Sequence, residues 1–184
     1  MEVPALQKRI CVASRRIFLL AAIVMMSLAG APSMAVAQTA IGGHIGFVLP
    51  LVTRAGGQTT NLGDAFSIGF PVGITIKGRG RMAFDMELVS SVHNKPRAVA
   101  LTVHPGVVGA LGHGFGAGGR AAFDVNSAQF GFTPLLSKSW PIKSEGGFFK
   151  AYFAEADLPV RFNRPVGGPY SNPVTFAAHF GLGF

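Results

Sequence analysis

From Phe66 onward the apolar residues of this 184-residue chain recur at every second position rather than every third or fourth. Phe66, Ile68, Phe70, Val72, Ile74 and Ile76 alternate with Ser67, Gly69, Pro71, Gly73 and Thr75. A period of two sends alternate side chains to opposite faces of a strand, so this segment has one greasy face and one small or polar face. The same pattern sets Met82, Phe84, Met86 and Leu88 against Ala83, Asp85 and Glu87. It sets Val99, Leu101, Val103, Pro105 and Val107 against Ala98, Ala100, Thr102, His104 and Gly106. A further strand sets Phe115, Ala117, Gly119, Ala121, Phe123 and Val125 against Gly116, Gly118, Arg120, Ala122 and Asp124. Every charge in these four strands falls on one face.

Four more strands are expected. Ile41, Gly43, Ile45, Phe47 and Leu49 form the first, with His44 on the other face; Val174, Phe176, Ala178, Phe180, Leu182 and Phe184 form the last, opposite Thr175, Ala177, His179 and Gly181. Residues 130–140 read as a strand whose phase is blurred by Pro134, because proline cannot donate to a ladder and implies an irregularity or bulge. Residues 148–162 offer two phases. Taking Tyr152, Ala154, Ala156, Leu158, Val160 and Phe162 as the apolar face puts Glu155, Asp157 and Arg161 on the other and leaves only Lys150 on the greasy side. The expected fold is all-β: an eight-stranded antiparallel up-and-down barrel over residues 38–184. Pro71, Pro105, Pro134 and Pro159 fall inside proposed strands and argue for bulges or shorter strands.

The connections alternate in character. Residues 54–64, 93–97, 126–129 and 163–172 lie at one end, and the glycine-rich 77–81, 109–114 and 141–147 at the other. The two longest share the first end. An even number of up-and-down strands returns both chain ends to the second, as a barrel inserted from the periplasm requires.

Ahead of the strands, Lys8, Arg9, Arg15 and Arg16 precede an apolar run over 17–28, and Ala35 and Ala37 stand before Gln38. That order is a secretory signal peptide over 1–37, cleaved to leave Gln38 first. The run is shorter than the ~20 residues of a helical span. Ser14-Arg15-Arg16-Ile17-Phe18-Leu19 resembles a twin-arginine export motif, so the export route stays open. The single cysteine, Cys11, lies in the signal, which removes disulfides, thiolate metal sites and cysteine nucleophiles from the mature chain. The formal charge of +8 draws on the same segment: beyond residue 16, twelve bases stand against seven acids, an excess of five with no dense basic cluster for nucleic acid.

Alternation alone admits two proteins. A secreted soluble β-barrel would turn its greasy face inward onto a small apolar ligand; a membrane barrel would turn it outward onto lipid. The small face is rich in Gly69, Gly73, Ala100, Gly106, Gly116, Gly118, Gly181 and Gly183, a poor wetted surface but one suited to a crowded lumen. The greasy faces extend over ~9–11 residues or more, the length of a tilted membrane strand.

The segment 174–184, an alternating strand ending on Phe184, resembles the C-terminal signature of bacterial outer-membrane β-barrels, and the mature chain is similar in architecture to the small barrels of OmpA/OmpX type. The resemblance implies an outer-membrane location, outer-membrane lipid and lipopolysaccharide as surroundings, a monomer, and recognition by the barrel assembly machinery through Phe176, Phe180, Leu182 and Phe184. It covers the mature chain in architecture and eleven residues in motif.

The candidate site is a polar network on the lumen face: Asp85, Glu87, His104, Arg120, Asp124, Glu155, Asp157, Arg161 and His179, with His44. A narrow barrel leaves these groups little water, so they are expected to pair with one another. The histidines have no metal-ligand spacing. No cofactor, metal or enzymatic activity is expected; the role expected is structural or surface contact. Some eight-stranded outer-membrane barrels modify lipid A, and the compact Ser/His group for such chemistry would be Ser90, Ser91 and His93. Arg54, Lys95, Arg97 and Arg164, near the long loops, suit lipopolysaccharide phosphates.

Overall fold

The computed structural model describes residues 40–78, 80–125, 127, 129–143, 146–162 and 172–184; the proposed signal peptide, most of the 163–172 loop and Arg164 lie outside them. Ten strands follow in chain order: β1 Ala40–Ala55, β2 Gln58–Asn61, β3 Ser67–Lys77, β4 Met82–Asn94, β5 Arg97–Gly112, β6 Phe115–Asp124, β7 Phe130–Pro141, β8 Ala151–Asp157, β9 Val160–Phe162 and β10 Val174–Gly183. Each pairs antiparallel with its neighbours, and β10 returns to pair with β1. The sheet closes into an eight-stave barrel, because β2 is a ribbon on the end of β1 and because β8 and β9 are two parts of one stave.

Prolines, rather than a change of register, divide that stave. Leu135 faces Asp157 and Phe132 faces Val160 along β7, while Ala177 faces Asp157 and Val174 faces Val160 along β10. Both ladders keep a single register across Leu158 and Pro159. Pro134 lies opposite the gap, where the Leu158 N–H donates to its carbonyl at 3.0 Å and no N–H exists to answer it.

The expectation of bulges or shorter strands at the strand prolines is met as a shorter strand at Pro159, where β8 gives way to β9, and is corrected for bulges at Pro71, Pro105 and Pro134. Pro71 stays in step with Val89, Pro105 with Met86 and Pro134 with Gly119. The register shifts lie elsewhere, between Pro50 and Val52 against β10 and between Ala110 and Gly112 against β6. Strands are also longer than the alternation suggested. β1 runs to Ala55, and β4 and β5 continue to a turn at Lys95-Pro96, so the expected 93–97 loop is largely ladder.

The apolar side chains point outward. Val72, Ile74, Phe84, Phe132, Tyr152 and Phe176 are each about half exposed, whereas among the described residues the buried hydrophobic ones are only Val89, Ala122, Leu135 and Ala177. The phase of 130–140, open from sequence, is resolved: Gly131, Thr133 and Leu135 face in, and Phe130, Phe132 and Leu136 face out. The phase chosen for 148–162 holds within β8, β9 and their junction, with Tyr152, Leu158 and Phe162 exposed and Glu155 and Asp157 buried.

Candidate functional site

The lumen is filled by charges that reach one another over glycines. His44 on β1 faces Gly73 on β3, Gly73 faces Glu87 on β4, and Glu87 faces His104 on β5. A Cβ on Gly73 would lie 2.1 Å from the His44 ring, so only glycine lets the imidazole cross the stave. His44 Nε2 then meets Glu87 Oε2 at 2.9 Å, and His104 Nδ1 meets Glu87 Oε1 at 3.1 Å.

Arg120 repeats the device. It faces Gly106, which faces Asp85, and a Cβ on Gly106 would stand 2.6 Å from Arg120 Cγ. The guanidinium passes over that gap. Its Nε donates to Asp85 Oδ2 at 2.7 Å and its Nη1 to Glu155 Oε1 at 2.7 Å, with Glu87 Oε2 at 3.7 Å. A third case is Arg161, which faces Gly131, where an added Cβ would be 2.9 Å from Arg161 Cδ. Arg161 donates to Thr133 Oγ1 at 3.3 Å and lies 3.1 Å from His104 Nε2. Because an arginine offers only donors, that nitrogen of His104 accepts and its Nδ1 carries the proton toward Glu87.

Around this centre, His179 Nδ1 lies 3.3 Å from Glu155 Oε1 and 3.9 Å from Asp157 Oδ2. Thr75 Oγ1 donates to Asp85 at 2.8 Å and Thr102 Oγ1 to Asp124 at 2.8 Å. Each threonine is the direct cross-strand partner of its carboxylate. Sequence reading missed Thr75, Thr102 and Thr133 because their side chains carry no charge; their inward phase was the available signal.

The structure brings every expected lumen residue inside. Asp85, Glu87, Arg120, His179, Glu155, Asp157, His104 and His44 are buried, while Asp124 and Arg161 are half-buried nearer the long-loop end. Arg120, only 3% exposed, forms a wall of two cavities. One, of about 380 Å³, opens toward the long loops between Thr60, Ser67, Ser91, His93 and Asp157. The other, of about 270 Å³, lies toward the short turns between His44, Thr75, Lys77, Phe153 and Phe184.

Two groups invite a chemical reading. Glu155, Asp157 and His179 each bring one donor atom within 4.8 Å of the others. Glu155 is already engaged by the Arg120 guanidinium and by His179, whereas Asp157 Oδ1 and His179 Nε2 have no hydrogen-bond partner among the described residues. The Ser90, Ser91 and His93 grouping does not converge. Ser90 is exposed on the wall, Ser91 and His93 turn inward, and His93 Nδ1 meets Ser67 Oγ at 2.9 Å as an ordinary cross-strand pair.

The C-terminal residues sit in the closing seam. Phe176 and Phe180 are exposed on the wall, and Phe180 packs on Phe47 of β1 with ring centroids 5.7 Å apart. Leu182 and Phe184 are half-buried; Phe184 stacks on Phe148 at 4.9 Å and covers Gly43. Arg54, Lys95 and Arg97 all lie at the long-loop end, where Lys95 Nζ donates to the Asp64 carbonyl at 3.2 Å. Comparison with protein-family models, curated proteins and solved structures returns no match to this chain.

Proposed function

We propose that this chain is a non-enzymatic barrel protein of the bacterial outer membrane, exported through a cleaved signal peptide, with a structural or surface-contact role. One observation carries the reading: the distribution of polarity is inverted, with Arg120, Asp85, Glu87 and Glu155 inside and Val72, Ile74, Phe84 and Phe176 on the wall. In water such a wall would be an apolar patch around the whole circumference, far beyond what a soluble monomer leaves bare. In lipid it is the favoured surface, and a closed ladder leaves no unpaired backbone edge. A soluble barrel holding an apolar ligand would need the opposite arrangement, and its lumen here is charged.

Two further features support the reading. Trp140 and Tyr152 stack at 5.4 Å at the short-turn end, beside the Phe148 and Phe184 pair, which resembles the aromatic girdle of a membrane interface. At the other end the β1–β2 hairpin turns after Ala55, and Arg54, Lys95 and Arg97 offer a basic surface to lipopolysaccharide phosphates. The test is fractionation of cells producing the full chain. The protein should stay with outer-membrane vesicles through a carbonate wash and migrate faster on unboiled than on boiled gels. Release into the wash as a soluble species would overturn the proposal.

A further inference from the structure

Lys138 lies on the outer wall of the barrel, in the outward phase of β7 between Leu136 and Trp140. Its Nζ sits 4.2 Å from the centroid of the Phe115 ring and 6.0 Å from that of Trp140, and it donates to the backbone carbonyl of His113. An ammonium has three protons to donate, so this one retains capacity for an acceptor arriving from outside. Below it the wall holds a hollow of about 250 Å³ lined by Phe115, Leu136, Ala154 and Ala156 together with Ser137, Lys138 and Glu155, the last buried with its carboxylate engaged by Arg120. Lys138 faces Ala154 and Leu136 faces Ala156, so the hollow runs from the ammonium away from the rim and toward the middle of the wall.

The exposed charge around Lys138, among the described residues, is one-sided. Lys77, Arg81, Lys143 and Lys150 occupy the same end, and the described residues within 76–82, 108–116 and 137–152 include no aspartate or glutamate. In the sequence, Arg79 and Glu145 also fall in these stretches but lie outside the described residues. A cation flanked by aromatic rings above an apolar furrow matches a molecule with an anionic head and a hydrocarbon tail. We propose that this is a binding site for an anionic phospholipid, its phosphodiester on Lys138 and an acyl chain along the furrow. The proposal rests on the membrane reading above. A zwitterionic lipid fits less well, since its own ammonium would meet a rim of cations. Lipopolysaccharide would belong to the opposite end of the barrel, where the long loops are.

Trp140 is the single tryptophan of the chain and neighbours Lys138, so its fluorescence reports which lipid stands there. The full chain, exported and purified from membranes in detergent, would be reconstituted into phosphatidylcholine vesicles containing a minor fraction of brominated lipid. Brominated phosphatidylcholine measures burial of Trp140 in the bilayer. Brominated phosphatidylglycerol at the same mole fraction measures selection for the anionic head. A basic group near an anionic headgroup contributes about 1 kcal/mol, roughly a fivefold local enrichment, so the second lipid should quench markedly more. K138Q should equalise the two lipids, K138R should keep the difference, and added salt should reduce it.

Equal quenching by both lipids in the unaltered protein would overturn the site while leaving the membrane reading intact. No quenching by either would overturn the membrane reading itself, and the site with it. An excess that persists in K138Q would show that Lys138 is not the headgroup ligand and would likewise overturn the proposal. Should K138Q fail to fold, the K138R and salt measurements on folded protein decide the question alone: loss of the excess in K138R or indifference to salt counts against it.

Discussion

Gly43 and Phe184 exchange both of their backbone hydrogen bonds, Gly43 N–H to the Phe184 carbonyl at 3.0 Å and Phe184 N–H to the Gly43 carbonyl at 2.9 Å. The pair completes the seam between β10 and β1 at the short-turn end. The Phe184 ring lies against Gly43, where an added Cβ would come within 2.6 Å of it, and stacks on Phe148. A chain shortened to end at Gly183 therefore loses two ladder bonds and an aromatic contact at one stroke. Severalfold less folded protein is expected in the membrane fraction, measured as the species that migrates faster on unboiled gels. Unchanged yield would show that the seam does not depend on its last pair.

Arg120 is the residue whose loss should cost the barrel most. Replacing it with methionine leaves Asp85 and Glu155 buried without their cation, and breaking a buried ion pair from one side costs about 3–5 kcal/mol. Removing the charges together, as R120M with D85N and E155Q, should recover much of that loss. Urea unfolding followed by tryptophan fluorescence measures both, and equal midpoints for R120M and the unaltered chain would refute the strut role.

The glycines beneath the lumen side chains supply a contrast within one residue type. Gly106→Ala would place a Cβ 2.5 Å from the Gly119 carbonyl and 2.6 Å from Arg120 Cγ, whereas the nearest atom to a Cβ on Gly183 is 3.7 Å away. Overpacking of the first kind typically costs about 1–3 kcal/mol. Gly183→Ala should change stability by less than about 0.5 kcal/mol. The same unfolding measurement separates them; a tolerated Gly106→Ala would mean that Arg120 has another route to Asp85.

On the outer wall, Val72 is 54% exposed at the level of the Gly73 row. If that wall meets hydrocarbon, Val72→Lys should destabilise by about 2–4 kcal/mol, and the penalty should shrink for the same change made nearer either rim. On a wetted surface the substitution would be nearly neutral at every height. Stability in lipid vesicles along this depth series is the measurement.

The strands and the inward set were legible because a two-residue period carries both at once: once Phe70 and Val72 point out, Pro71 and Gly73 point in. Asp85, Glu87 and Arg120 followed from that rule alone. What it could not supply was the partner of each charge, which depends on the stagger between staves. That Arg120 would skip Gly106 to reach Asp85 requires knowing that Gly106 lies between them in the ladder. The prolines misled for a related reason. Pro134 and Leu158 meet where one chain lacks a donor, and the ladder forgoes a bond there without shifting its register.

The side-chain contacts form a second hoop inside the first. His44 on β1 meets Glu87 on β4, Arg120 on β6 joins Asp85 to Glu155 on β8, Glu155 meets His179 on β10, and the His179 ring lies 5.9 Å from that of His44. A ladder by itself tolerates closing with one hairpin more or fewer, because any two edges can pair. The inner hoop does not: its span is set by the reach of one arginine and two histidines, and a ring of another circumference would leave carboxylates stranded. The number of staves in this barrel is thus fixed by side chains of definite length as well as by the count of strands in the chain.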